Sequence, residues 1–206
     1  YSWCASNPKV YRVVHDLLDE LLEAFEADTI HVGMDEVFEL GLCPRCRGRS
    51  PAELFALAVN KLYAHVVRKR GKRMMLWGDR LIDGRRTPYN EMNGSRNGTH
   101  TAIGMIPKDI FVCDWHYHLH PTYPSVQRFN RRGFEYVSCS YKKPYAVDAF
   151  MAYAAKHGGT RYRGHLDTNW ENLDPVLDSL FEGKEGVNDN ADTFRRGMEL
   201  AWRGAH

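Results

Sequence analysis

The chain has 206 residues, enough for one domain with a substantial buried core, and its apolar and charged fractions of 43% and 26% are those of a globular protein. Its 28 basic and 26 acidic residues leave a net charge of only +2, and the basic residues are scattered or gathered at a helix end, as in Arg68-Lys69-Arg70, so nucleic acid is not implied. No apolar run approaches the length that crosses a bilayer, no signal peptide precedes the first helix, and five cysteines without regular spacing argue against a disulfide scaffold.

The chain opens at Tyr1, about one turn before its first helix, as a fragment or a trimmed chain would, so the missing signal leaves the compartment open. Asn7-Pro8 reads as that helix's start, and Val10, Val14, Leu17, Leu18, Leu21 and Phe25 recur at helical spacing, predicting one apolar stripe. Thr29 to Val37 reads as a strand whose alternation puts Ile30, Val32 and Met34 on one side and His31, Gly33 and Asp35 on the other. Glu36 lies just past regular pairing, where a turn of the backbone brings it beside Asp35. Acids at the carboxyl end of a strand are where α/β proteins hold their chemistry. The alternative is that these are ordinary loop acids capping a helix.

A loop of about fourteen residues follows and holds Cys43-Pro-Arg-Cys46. A CxxC binds metal or switches redox state, but a zinc site normally takes more ligands and no second CxxC exists, so the plainer reading is two thiols shaping a loop, and no metal or other cofactor is assigned. Ser50-Pro51-Ala52-Glu53 has the form of a capping box, and Leu54, Leu57, Ala58, Leu62 and Val66 carry a helix to about Arg70, which Gly71 ends. Arg73 to Trp77 forms a second strand, followed by Gly78-Asp79.

From Arg80 to about Met105 runs a long, polar, glycine-rich connection with a short helix around Thr99 to Met105. Asn93-Gly-Ser and Asn97-Gly-Thr in it match the glycosylation sequon, a match common by chance. Asp109 to Asp114 reads as a buried strand leading into Trp115-His116-Tyr117-His118-Leu119-His120. These histidines at alternate positions suit an aromatic, hydrogen-bonding wall for a polar ligand better than a metal site. Pro124 to Arg132 is a helix, Phe134 to Tyr141 a strand, and Val147 to Lys156 a helix with Phe150 and Tyr153 on its apolar side. Tyr162 to Leu166 is a last strand, leading to Asp167-Thr-Asn-Trp170-Glu171, and Ala191 to Trp202 reads as a closing helix.

Strand and helix alternate five times, which predicts a parallel sheet covered by helices. Links from helix to strand are short, whereas links from strand to helix are mostly long and rich in Asp, Glu, Trp, Tyr and His. In a (β/α)8 TIM barrel the latter loops share the catalytic face. Because a full barrel has eight strands, the expectation is a single partial barrel domain over residues 1–206, covering strands four to eight. A smaller open sheet is the alternative.

At this point the residues resemble a known family. His31-Val-Gly-Met-Asp35-Glu36 is similar to the His-x-Gly-Gly-Asp-Glu signature of the β-N-acetylhexosaminidases of glycoside hydrolase family 20, with Met34 where the signature has its second glycine. Cys4-Ala-Ser-Asn-Pro, Leu76-Trp77-Gly-Asp79, Asp114-Trp115 and Trp170-Glu171 carry the resemblance along nearly the whole chain. It implies a retaining hydrolase of terminal β-linked N-acetylhexosamine in which the substrate's own 2-acetamido oxygen attacks the anomeric carbon. Glu36 would be the general acid and base, with its pKa raised, and Asp35 would orient the acetamido N–H. Mutual repulsion between such neighbours tends to hold one proton on the pair.

Trp77, Trp115 and Trp170 would correspond to the family's aromatic walls, Tyr141 to the tyrosine that hydrogen-bonds the acetamido carbonyl, and His31, Asp79 and Glu171 to sugar-binding positions. The chain departs from the pattern in having Trp170 and Glu171 adjacent rather than one residue apart, and the sugar-binding arginine and histidine of the early strands would lie upstream of Tyr1. The partner implied is a glycan or glycoconjugate containing N-acetylhexosamine, with no nucleic acid and no membrane; the oligomeric state is not legible. The competing readings are a non-catalytic glycan-binding remnant of such a barrel, and a metal-dependent hydrolase using Cys43, Cys46 and the histidines from His116 to His120.

Overall fold

A computed structural model describes residues 2–184 and 189–195. It contains five parallel strands in one sheet, in the order of the sequence: β1 (Thr29–His31), β2 (Arg73–Trp77), β3 (Phe111–Trp115), β4 (Tyr136–Ser140) and β5 (Tyr162–Asp167). Helices α1 (Pro8–Ala24), α2 (Pro51–Tyr63), α3 (Pro124–Arg132), α4 (Pro144–His157) and α5 (Asp174–Glu182) alternate with them except between β2 and β3, where the long connection holds only 3-10 turns in place of the α-helix that strict alternation predicts. A parallel pair demands a crossover, and the crossover helices α2, α3 and α4 bury their apolar residues in one shared core. The result is part of a (β/α) barrel of the TIM type, as the spacing of strands and helices predicts.

Each strand divides its side chains between two faces. Ile30, Met74, Leu76, Val112 and Tyr136 point outward into the main core, which Leu54, Phe55, Val59 and Leu62 of α2, Phe129 of α3 and Phe150 of α4 fill. The opposite faces of β2, β3 and β4 turn Trp77, Cys113, Trp115 and Cys139 into a second, smaller cluster on the barrel's interior side. Period-two alternation thus separates residues that hold helices from residues available to a ligand.

Several local expectations hold at their ends. Asn7 Oδ1 accepts the Lys9 amide at 3.1 Å and Pro8 opens α1, while α3 runs from Pro124 to Arg132 and ends on Gly133 at φ +85°, a conformation open to glycine at no steric cost. Others need correction. The apolar stripe of α1 is split: Leu18 is buried with Tyr11 and Leu22, but Leu17, Leu21 and Phe25 are exposed, because α1 meets α2 and β1 along only part of its circumference.

Ser50 occupies the N-cap of α2 without making the side-chain bond of a capping box. The last turn of that helix, Ala64–Lys69, widens into π-helix, and the expected helix near Thr99 is a 3-10 helix over Thr99–Gly104. α4 begins three residues earlier than the pattern suggests, at Pro144, whose fixed φ suits a first helical turn. Residues 189–195 are helical, and the remainder of the expected closing helix lies outside the described residues. No described helix is long and apolar enough to cross a membrane.

Candidate active site

β1 keeps strand geometry for only three residues, although pairing continues through Val32 N–H to Met75 O at 2.9 Å and Trp77 N–H to Gly33 O at 3.0 Å. Beyond it Gly33, Met34 and Glu36 all take left-handed φ angles, of +74°, +73° and +50°. This sharp turn ends the strand and sets Asp35 and Glu36 side by side on the rim. A left-handed residue other than glycine costs about 1–2 kcal/mol. Met34, buried in the main core, offsets that cost with a thioether burial of about the same size.

The two acids open into a cavity of about 390 Å³ lined by Trp77, Trp115 and Trp170, with Asn90, Met92, Asn93, Tyr117 and His118 completing it. That is room for a small polar ligand of one ring. Trp77 and Trp170 stand 6.0 Å apart at 54°, and the Trp170 Nε1–H donates to the Tyr117 hydroxyl at 2.9 Å, fixing an otherwise exposed indole. Trp115 packs on Tyr117 at 4.9 Å. Among the described residues no hydrogen bond or ion pair engages the carboxylate of Asp35 or of Glu36. The Glu36 carboxyl is held above its ordinary value, first by burial and then by the adjacent negative charge of Asp35, with Arg80 pulling the other way.

Behind the wall lies a buried pair that positions much of the rim. Asp79 Oδ2 accepts the Glu36 backbone amide at 3.0 Å and the Arg80 Nε–H at 2.6 Å, and Oδ1 accepts the Trp115 indole N–H at 3.2 Å. Arg80 in turn donates to Glu91 O and Met92 O at 2.5 and 2.9 Å and lies over the Phe38 ring. Burial pushes the Asp79 carboxyl up to about 6 against the pull of Arg80 and these donors. Asp79 is therefore a strut behind the cavity, with both oxygens already engaged by protein donors.

The other sequence-derived candidates are distributed unevenly. His31 sits below Trp77 at a ring separation of 4.5 Å and accepts the Gly33 amide at Nδ1, while its Nε2 is buried. Tyr141 stands behind Tyr117, edge to face at 5.4 Å, outside the cavity lining. Glu171 turns outward and pairs with Lys142 at 2.5 Å, and Lys142 and Tyr141 hold its carboxyl below the usual value. Of the histidine run only His118 reaches the cavity; His116 is fully buried against Ser125 and Asp114, and His120 packs on Tyr123. The histidines therefore do not converge on one point, as a metal site would need.

The connection between β2 and β3 supplies three wall residues, Asn90, Met92 and Asn93, that no strand pattern announces. Its length was the available signal, since long loops in compact domains usually carry function. Gly84 and Gly94 cross so closely that a Cβ on Gly84 would lie 2.6 Å from Gly94 O, pinching the loop so that it folds over the mouth. The amide nitrogens of both sequon asparagines are engaged inside the fold. Asn93 Nδ2 donates to Trp115 O at 3.0 Å, and Asn97 Nδ2 donates to Val37 O and Phe38 O, each at 2.9 Å, tethering the segment after Glu36.

A comparison with curated proteins returns no match. The family model for the glycosyl hydrolase family 20 catalytic domain matches residues 1–180, most of the chain and every element from α1 to β5. With acids and indoles gathered at the carboxyl ends of parallel barrel strands, the chain belongs to glycosyl hydrolase family 20, a family of glycosidases acting on N-acetylhexosamines.

Proposed function

We propose that this chain carries the acid pair and the aromatic walls of a β-N-acetylhexosaminidase that removes a terminal β-linked N-acetylhexosamine with retention. The observation that carries the reading is the pair of unengaged carboxylates, Asp35 and Glu36, opening together into a cavity walled by three indoles. Cleavage builds positive charge on the anomeric carbon and negative charge on the departing oxygen. In the proposed course the 2-acetamido oxygen forms a bond to the anomeric carbon as the glycosidic bond breaks, and Glu36 gives its proton to the leaving oxygen. Water then attacks the anomeric carbon, opens the oxazolinium ring and returns a proton to Glu36.

Asp35 accepts the acetamido N–H and balances the charge of that ring. The raised pKa of Glu36 supports its assignment as the acid, since it holds a proton at a pH where an ordinary glutamate has lost it. Trp77, Trp115 and Trp170 shape a dry pocket for the acetamido methyl and the apolar face of the sugar.

Aryl β-N-acetylglucosaminide and aryl β-glucoside, assayed side by side, test the reading. Turnover of the first with none of the second is expected, and comparable turnover of both would rule out participation by the acetamido group. Glu36→Gln is expected to lower kcat by about 10²–10⁴-fold on a substrate with a poor leaving group. Binding of N-acetylglucosamine without any hydrolysis by the native chain would favour the non-catalytic reading instead.

A further inference from the structure

Three cysteines far apart in the sequence meet beside the loop that follows Glu36. Cys4 Sγ is 3.3 Å from Cys43 Sγ and 3.4 Å from Cys46 Sγ, and the three sulfurs lie within 4.8 Å of one another. Cys43 and Cys46 face one way because their turn closes on itself, the amides of Cys46 and Arg47 donating to Cys43 O at 3.0 and 2.9 Å. Cys4 reaches them from the segment before α1, which the Tyr11 hydroxyl anchors by donating to Ala5 O at 2.6 Å.

The spacing suits a metal better than a disulfide. Zinc bound tetrahedrally at about 2.3 Å from each sulfur holds its sulfurs roughly 3.7 Å apart, a change of only a few tenths of an ångström from the separations seen. A disulfide would bring two sulfurs to about 2.05 Å and leave the third thiol over. Thiolate ligands select soft or borderline ions, zinc among them. A polar neighbour borders the trio: Arg49 donates to Ser6 Oγ at 2.8 Å, and Ser6 Oγ lies 3.3 Å from Cys46 Sγ.

The geometry points to a structural zinc site formed by Cys4, Cys43 and Cys46, which ties the segment before α1 to the loop that follows the acid pair. The adjoining cavity of about 170 Å³, lined by the three cysteines among others, has room for a water as fourth ligand. None of its lining residues lines the cavity that holds Asp35 and Glu36, so the metal would brace the loop and take no part in sugar chemistry. Metal binding couples to folding, so the ion would help hold this long loop in one conformation.

Metal analysis of the full chain, purified without chelator, is expected to find one zinc per chain. Titration of the reduced, metal-stripped chain with Co²⁺ is expected to give visible bands of tetrahedral cobalt, with near-ultraviolet charge-transfer intensity for three thiolates, and Zn²⁺ is expected to bleach them. Cys4→Ser should lower that intensity by about one third and weaken cobalt binding at least tenfold. Failure of the native chain to develop thiolate-to-cobalt bands would overturn the site, as would undiminished intensity in Cys4→Ser. A disulfide within the trio in freshly purified protein would overturn it too. Sugar hydrolysis is not read in any of these measurements, so their failure would leave the glycosidase assignment standing.

Discussion

The backbone amide of Glu36 donates to Asp79 Oδ2 at 3.0 Å, so the residue proposed as the acid is held by the end of the neighbouring strand rather than by its own. The same carboxylate carries Arg80 and the Trp115 indole, which makes one buried ion pair the fixed point for an acid, an aromatic wall and the loop over the mouth.

Replacing Asp79 by Asn strands the Arg80 guanidinium in the interior. Removal of one partner of a buried pair costs about 3–5 kcal/mol, a large share of a domain's stability. Urea denaturation of Asp79→Asn, Arg80→Met and the double variant checks this. The double variant is expected to recover part of the loss, and strictly additive losses would show that the pair is not coupled.

The pH dependence of cleavage follows from Glu36. Its raised pKa means the protonated, active form persists to higher pH, and kcat/KM falls on the basic side as Glu36 ionises. Asp35 is one of the two causes raising it, so Asp35→Asn is expected to move the basic limb to lower pH as well as to slow the reaction. A substrate with a poor leaving group is needed for the limb to report the acid. An unmoved limb in Asp35→Asn would remove Glu36 as the group observed.

Trp115 and Trp170 line one cavity but differ in their support. Trp115 is 8% exposed and Trp170 57%. Trp115→Ala is therefore expected to cost about 3–5 kcal/mol of stability as well as activity. Trp170→Ala, which empties little of the core, is expected to change stability by about 0.5 kcal/mol or less while raising KM. Thermal melts together with Michaelis kinetics separate the two, and a melting loss in Trp170→Ala as large as that of Trp115→Ala would contradict the assignment.

The close crossing of Gly84 and Gly94 is expected to tolerate no side chain. A Cβ on Gly94 would meet Gly84 Cα at 2.6 Å, backbone against backbone, so the loop must open. Gly94→Ala should cost about 1–3 kcal/mol, as overpacking does, and should weaken sugar binding by displacing Asn90, Met92 and Asn93. Calorimetric titration with N-acetylglucosamine measures the second effect, and unchanged affinity would mean that the loop contributes nothing to the pocket.

Much of the fold is legible in the sequence. Alternation along Thr29 to Asp35 and along Arg73 to Trp77, prolines at helix starts and glycines at helix ends are local signals, and they return five strands and the acid pair at a strand's end. The indoles were legible for the same reason, since Trp77 and Trp115 close strands whose pattern is plain. Which of two apolar flanks α1 buries was not, because the helical period marks a broad stripe and only the neighbours choose within it.

What the amino-acid order determined by itself was the succession of elements, the face on which each strand's residues fall and the family. Those follow from backbone periodicity and from short motifs, which depend on neighbours in the chain. Only the tertiary structure decided that Asp79 is a buried strut, that Glu171 turns outward to Lys142, that the loop of Asn90 and Asn93 folds over the mouth, and that Cys4 joins Cys43 and Cys46. Each of these is a contact between segments far apart in sequence, set by how strands register and loops cross, and no local pattern carries that information.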